Sequence, residues 1–178
     1  MKLLRTIRLD PSDTFVFERA AEPGEWAVPG SFMFWDGDPA ELSGKQRSAF
    51  RSGFLGVGSL GWSTLVQIVE AMGEDRAAVV EALAKRLVEN FGAPDMEAAS
   101  KAADEEVTFA ESLCDHPADT LVAIHRTVED GAIREAFRTL RPREGKKGLR
   151  SFSFLEVEGD EEPAEEVDLV GLAGERSK

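Results

Sequence analysis

Residues 120–140 read Thr120-Leu-Val-Ala-Ile-His-Arg-Thr-Val-Glu129-Asp130-Gly131-Ala132-Ile-Arg-Glu-Ala-Phe-Arg-Thr-Leu140. Asp-Gly between two β-rich runs is a strong signal for a two-residue hairpin, because both turn positions need positive φ. Thr120–Glu129 is therefore expected as a strand, with Ala132–Leu140 returning antiparallel. A short helix over 132–140 is the rival, since Ile133, Phe137 and Leu140 also fit helical spacing.

Working outward, Lys2–Leu9 alternates and ends at Asp10-Pro11, as a strand does. Thr14–Arg19 and the aromatic run Ser31–Trp35 are expected as further strands, separated by the Glu22-Pro23-Gly24 and Pro29-Gly30 turns. Leu42–Phe50 is at best weakly helical. Trp62–Glu70 is short and β-branched, which favours a buried strand over a buried helix. From about Asp75, Val80, Leu83, Leu87 and Phe91 mark one face of a helix that Gly92 and Pro94 end. A second helix from about Asp95 to Cys114 carries a narrow stripe: Met96, Ala99, Ala103, Val107, Ala110 and Cys114. Joined by so short a link, the two should pack antiparallel. Leu149–Val157 alternates again. The order predicts an α+β fold: a mostly antiparallel sheet with a packed helical pair on one face.

The chain has 178 residues, 42% of them hydrophobic and 31% charged. That suits one soluble domain, expected over 1–158, with an acidic and mobile tail over 159–178. The start is interrupted by charge and no run approaches bilayer length, so neither a signal peptide nor a membrane span is expected. A cytoplasmic protein is the default. The net charge of −13 argues against nucleic-acid binding, since phosphate backbones repel such a surface. Cys114 is the single cysteine, which excludes an internal disulfide and a thiol-rich metal centre.

The charge is segregated. Residues 74–119 hold twelve acids and four bases; 156–168 hold eight acids and no base. Between them, Arg134, Arg138, Arg141, Arg143, Lys146, Lys147 and Arg150 face only Glu135 and Glu144. On a strand, Arg134, Ala136 and Arg138 share one face. The ordinary explanation is neutralisation of the molecule's own acids. The functional one is a site for an anion or an acidic partner, with Arg134, Arg138, Arg141 and Arg143 as its candidates.

Gly56-Val57-Gly58-Ser59-Leu60-Gly61 is a literal G-x-G-x-x-G. A dinucleotide loop needs a strand before it and a helix after it, and the flanks supply neither. A tight loop with close backbone approach is the better reading. Gly56, Gly58, Gly61, Trp62 and His125 are the candidates for a pocket beside this loop, together with Phe54 and nearby arginines. Cys114, His116 and His125 do not have metal-ligand spacing. Cys114 is expected to be buried and inert, His116 to cap a helix C-terminus, and His125 to be structural. Most of the paired carboxylates (Asp104-Glu105-Glu106, Asp36 and Asp38, Glu161-Glu162) fall on a solvent face or in the tail, and Asp36-Gly37-Asp38-Pro39 reads as an Asx turn that ends a strand. No catalytic residue, metal or cofactor is expected.

Three stretches, residues 5–17, Phe50–Gly56 and Leu113–Pro117, together with His125–Gly131 and Arg134–Pro142, resemble an uncharacterised bacterial family of unknown function. Such proteins are encoded beside biotin/lipoate-ligase-like proteins and accessory factors of molybdenum-type oxidoreductases. The resemblance implies an accessory role and supplies no catalytic residue. The expectation is a non-catalytic accessory or protein-interaction domain, with a partner protein and an open oligomeric state in which edge strands could pair two copies. The alternative is a small enzyme or ligand-binding domain with an anion pocket near the glycine loop.

Overall fold

The computed structural model describes residues 1–142, 155–157 and 166–167. The hairpin forms as its turn dictates: β6 (Leu121–Glu129) pairs with β7 (Ala132–Pro142) from Leu121↔Leu140 to Glu129↔Ala132. Asp130 and Gly131 both take positive φ, 53° and 80°. The helical rival for 132–140 is overturned, because nine consecutive cross-strand partners outweigh an isolated turn of helix.

The other strands are β1 (Lys2–Ile7), β2 (Trp26–Val28), β3 (Phe54–Gly56), β4 (Trp62–Ser63) and β5 (Leu65–Glu70). The short strands β8 (Leu155–Val157) and β9 (Glu166–Val167) complete the sheet. They run in the order β4-β3-β2-β1-β5-β6-β7-β8, with β9 also on β7, and every strand pairing is antiparallel. Of the expected 149–157 strand, residues 149–154 lie outside the described residues. So does most of the stretch expected to form a tail.

The α+β expectation holds, with α3 (Gly73–Phe91) and α4 (Met96–Ser112) as the helical pair. Arg76, near the start of α3, bonds Asp104, Thr108 and Glu111 along the later half of α4, so the two run antiparallel. Gly92 closes α3 in the left-handed conformation. Asp95 caps α4, accepting from the Ala98 N–H at 2.8 Å. On α3, Leu83 of the expected stripe is buried together with Val79 and Ala84, Val80 and Leu87 pack half-buried against the core, and Phe91, like Met96 at the head of α4, is exposed.

The sheet curls until β3 and β7, far apart in strand order, meet inside: Phe54 and Phe137 lie 6.2 Å apart, and Phe109 of α4 is 6.0 Å from Phe137. Burying Phe54 and Phe137 stabilises the fold by roughly 2–3 kcal/mol each.

Three expectations in the first half fail. Asp13–Val16 is a helical turn (α1), not a strand. The buried carboxylate of Asp13 accepts from Thr64 N–H and Oγ1, which fixes the backbone locally. Ser31–Phe34 is a 3-10 helix rather than an aromatic strand, and it starts at Gly30 with φ 80°. There a Cβ would come within 2.6 Å of Leu55 Cβ. Gly44–Ser52, expected to be weakly helical at best, is a full helix, α2.

Candidate functional site

The reason α2 persists lies 73 or more residues away. Arg126, on the inner face of β6, is fully buried. Its Nη1 donates to Phe50 O and Gly53 O, each at 2.9 Å, and to Ala49 O at 3.4 Å. Those carbonyls belong to the end of α2, where a helix leaves acceptors unsatisfied and favours a cation. Nη2 donates to Pro29 O, and Nε donates to Glu135 Oε2 at 2.8 Å. Glu135 is the cross-strand partner of Arg126 and equally buried. Burial raises the Glu135 carboxyl, with the Arg126 charge and hydrogen bond pulling the other way. A third carboxylate, Glu106 of α4, accepts from the Gly30 N–H at 2.9 Å. Burial pushes Glu106 up to about 7, and the nearby Glu135 charge adds to the rise. The Gly30 hydrogen bond and Arg126 oppose it.

This ionic cluster pins the base of one short aromatic segment. Pro29 O and Gly30 N–H are held at its base, and the Phe34 ring lies 5.6 Å from the Arg126 guanidinium carbon. The segment Phe32-Met33-Phe34-Trp35 then stands as a ridge. Phe34 stacks on Trp62 (5.3 Å, 27°) and meets Phe50 edge-on at 5.1 Å. Phe32 contacts both Trp35 and Phe91 edge-on. Trp35 itself is 63% exposed.

A cleft opens on each side of the ridge, and Phe34 lines both. One, of about 550 Å³, has Trp62, Met33, Leu42 and Leu60 as its apolar lining, with Glu18, Arg19, Lys45 and Gln46 as its polar groups. The other, of about 690 Å³, lies between Trp35 and the β6–β7 turn, against Val128, Ala132 and Ile133. Neither is lined by Glu106 or Glu135.

The glycine loop forms the wall behind the first cleft, and its glycines have an internal explanation. The Glu25 carboxylate sits in the loop where a phosphate would sit in a nucleotide site. Gly58 N–H and Ser59 N–H donate to its Oε1 at 2.8 Å, and the Ser59 hydroxyl donates to Oε2 at 2.6 Å. A Cβ on Gly56 would lie 2.6 Å from the Glu25 carboxyl carbon, and one on Gly61 would lie 2.6 Å from Ala20 O. The tight-loop reading therefore has atoms behind it: the chain's own acid fills the nest.

The other sequence candidates disperse. Trp62 joins Leu60 in the first cleft, whereas Phe54 is buried in the core. His125 is exposed on the outer face of the sheet, away from both clefts. Arg134 and Arg138 share that outer face with His125, as the alternation implied. Arg134 Nη1 donates to Glu129 at 3.0 Å. The register sets Glu156 opposite Arg141, and Glu166 opposite Ala136 between Arg134 and Arg138. Arg143 lies outside the described residues.

Cys114 is buried, and burial pushes its thiol up to about 12. His116 contributes its carbonyl, which accepts from Lys2 Nζ at 2.6 Å, rather than a side-chain helix cap. Asp38 forms the expected Asx turn through Ala40 N–H, although no strand precedes it. Among the described residues, no group of three or more His, Cys, Asp or Glu could hold a metal ion, and no helix is long and apolar enough to cross a membrane.

Sequence reasoning missed Arg126, Glu135 and Glu106. The first two were within reach: a turn centred on Asp130-Gly131 makes 126 and 135 direct partners, and the alternation of Ile124, Ile133 and Phe137 turns both inward. No curated protein and no solved structure matches the chain significantly. Residues 1–156, which carry the Arg126 cluster, the ridge and both clefts, match a described family, and the chain belongs to the family of unknown function DUF6505.

Proposed function

We propose that the protein is a non-catalytic, cytoplasmic accessory domain that holds a partner protein on the Phe32–Trp35 ridge. The observation that carries this reading is Trp35, 63% exposed on a segment anchored at its base by buried charges. An exposed tryptophan on a rigid support and flanked by clefts is the kind of anchor that dominates protein interfaces. The ridge presents apolar surface with few charges. The matching partner offers apolar side chains to fill the cleft beside Val128 and Ile133. The perturbed carboxylates lie beneath the ridge and line neither cleft, which supports a scaffolding role for them.

The test is quantitative recovery of partners from the native cell with Trp35→Ala and with Arg134→Ala/Arg138→Ala, each checked for folding by circular dichroism. Loss of a near-stoichiometric partner with Trp35→Ala, by tenfold or more as for a hot-spot residue, is the expected result. A partner lost in a salt-dependent way only with the double arginine variant would move the interface to the outer sheet face. Recovery of no specific partner would overturn the reading. The narrower role, in maturation of a molybdenum-type oxidoreductase, rests on the family resemblance and is decided by which partner is recovered.

A further inference from the structure

We propose that the cleft between the ridge and the glycine loop is a binding site for a small aromatic carboxylate. This goes beyond partner docking and uses the opposite side of Phe34.

Its lining is aromatic: Phe34 and Trp62 stack on each other at 5.3 Å and 27°, and Phe50 braces Phe34 edge-on. Such a lining favours a planar apolar body, which can pack edge-to-face or offset against it. Leu42, Leu60 and Met33 enclose it, and the volume of about 550 Å³ is in the range of small-molecule sites.

The polar groups set the charge of the ligand. Arg19 donates through Nη1 to Ser59 O at 3.0 Å, which fixes its guanidinium in the wall. Among the described residues, Nε and Nη2 have no other partner, so one edge of the fork stays available for a planar carboxylate. The Lys45 ammonium likewise has no partner among them. Two uncommitted cations at one mouth run against the net charge of −13. Glu18 lines the same cleft, so its polar groups sum to +1. That balance accepts a monoanion and disfavours a doubly charged phosphate monoester. Because Arg19 and Lys45 are exposed, they supply selectivity more than affinity, and the apolar lining supplies most of the binding.

The experiment is a two-dimensional NMR titration of the full chain with naphthoate and, in parallel, with its neutral analogue naphthalenemethanol. Naphthoate is expected to shift the Trp62 indole and the Leu42, Gln46 and Leu60 amides, and to bind about tenfold more tightly than the alcohol, the scale of one charge-assisted contact. Lys45→Gln should cut that preference by about threefold, and Arg19→Gln/Lys45→Gln should abolish it while leaving the alcohol's affinity unchanged. Lys45 is exposed on α2 and its replacement does not touch the core, so that arm stands even if the Arg19 change disturbs the loop. Equal binding of the two compounds, shifts confined to Trp35 and Gly131, or no shift at millimolar ligand would each overturn the proposal. Loss of partner recovery with Trp35→Ala is read separately and decides nothing about this cleft.

Discussion

Replacing Glu106 by Gln gives the sharpest test of the buried ionic cluster. The carboxyl of Glu106 rises from 4.5 to about 7 on folding. A raised acid binds its proton more tightly in the folded state. Stability therefore falls as pH rises from 4.5 toward 7, and the penalty is complete above 7. Over that window the full shift corresponds to roughly 3 kcal/mol. The side chain is half-buried, and residual solvent contact reduces the figure to on the order of 2 kcal/mol. Glutamine mimics the protonated form: its carbonyl can still accept from Gly30 N–H, and it places no second negative charge near Glu135. Urea unfolding followed by tryptophan fluorescence should show the two proteins equally stable below about pH 4, where Glu106 is protonated in the folded and the unfolded chain alike. Near about pH 8 Glu106→Gln should be the more stable by on the order of 2 kcal/mol. Parallel pH profiles would refute the reasoning, because they would mean that Glu106 titrates alike in the folded and unfolded chain.

Arg126→Leu strands the buried Glu135 charge and removes donors from four carbonyls, and should destabilise by about 3–5 kcal/mol in the same assay. Arg126→Leu/Glu135→Leu should recover part of that loss, since no lone charge is left behind. Gly61→Ala should lower the unfolding midpoint more than Gly56→Ala, because its new Cβ meets backbone at Ala20 whereas that of Gly56 meets a side chain. Gly73→Ala, with open space at the start of α3, should be neutral or gain up to about 1 kcal/mol. Cys114 should resist iodoacetamide at mildly alkaline pH in the folded protein and react readily in denaturant, as mass spectrometry would show, since burial holds the thiol protonated.

The legible parts of the fold were those fixed by neighbours in sequence. Asp130-Gly131 set the hairpin, Gly92 and Asp95 set the link between the two long helices, and alternation placed Arg134 and Arg138 on one face. The first fifty residues were harder because distant groups decide them. Thr14–Phe17 has strand composition, but Asp13 is tied to Thr64, fifty-one residues on. Ser31–Phe34 has aromatic strand composition, but Glu106 and Arg126 hold the turn beneath it. Polar α2 has little of its own to recommend it as a helix, and Arg126 completes its C-terminal end. Of the first cleft, Trp62 and the neighbourhood of the glycine loop were among the sequence candidates. Glu25 in the glycine nest could not be, because a carboxylate thirty-three residues upstream carries no local mark. The ridge was also out of reach, because Trp35 looks like core until its segment is seen to leave the sheet.

The Arg126 guanidinium also imposes a schedule on folding. Its acceptors at 29, 50 and 53 are synthesised long before it, and until β6 and β7 zip together those carbonyls must stay wet. The early part of the chain therefore cannot complete its native arrangement as it leaves the ribosome, and its aromatic segment waits exposed for the hairpin to arrive. Truncations that end ahead of residue 126 should be aggregation-prone for that reason, whatever secondary structure they retain.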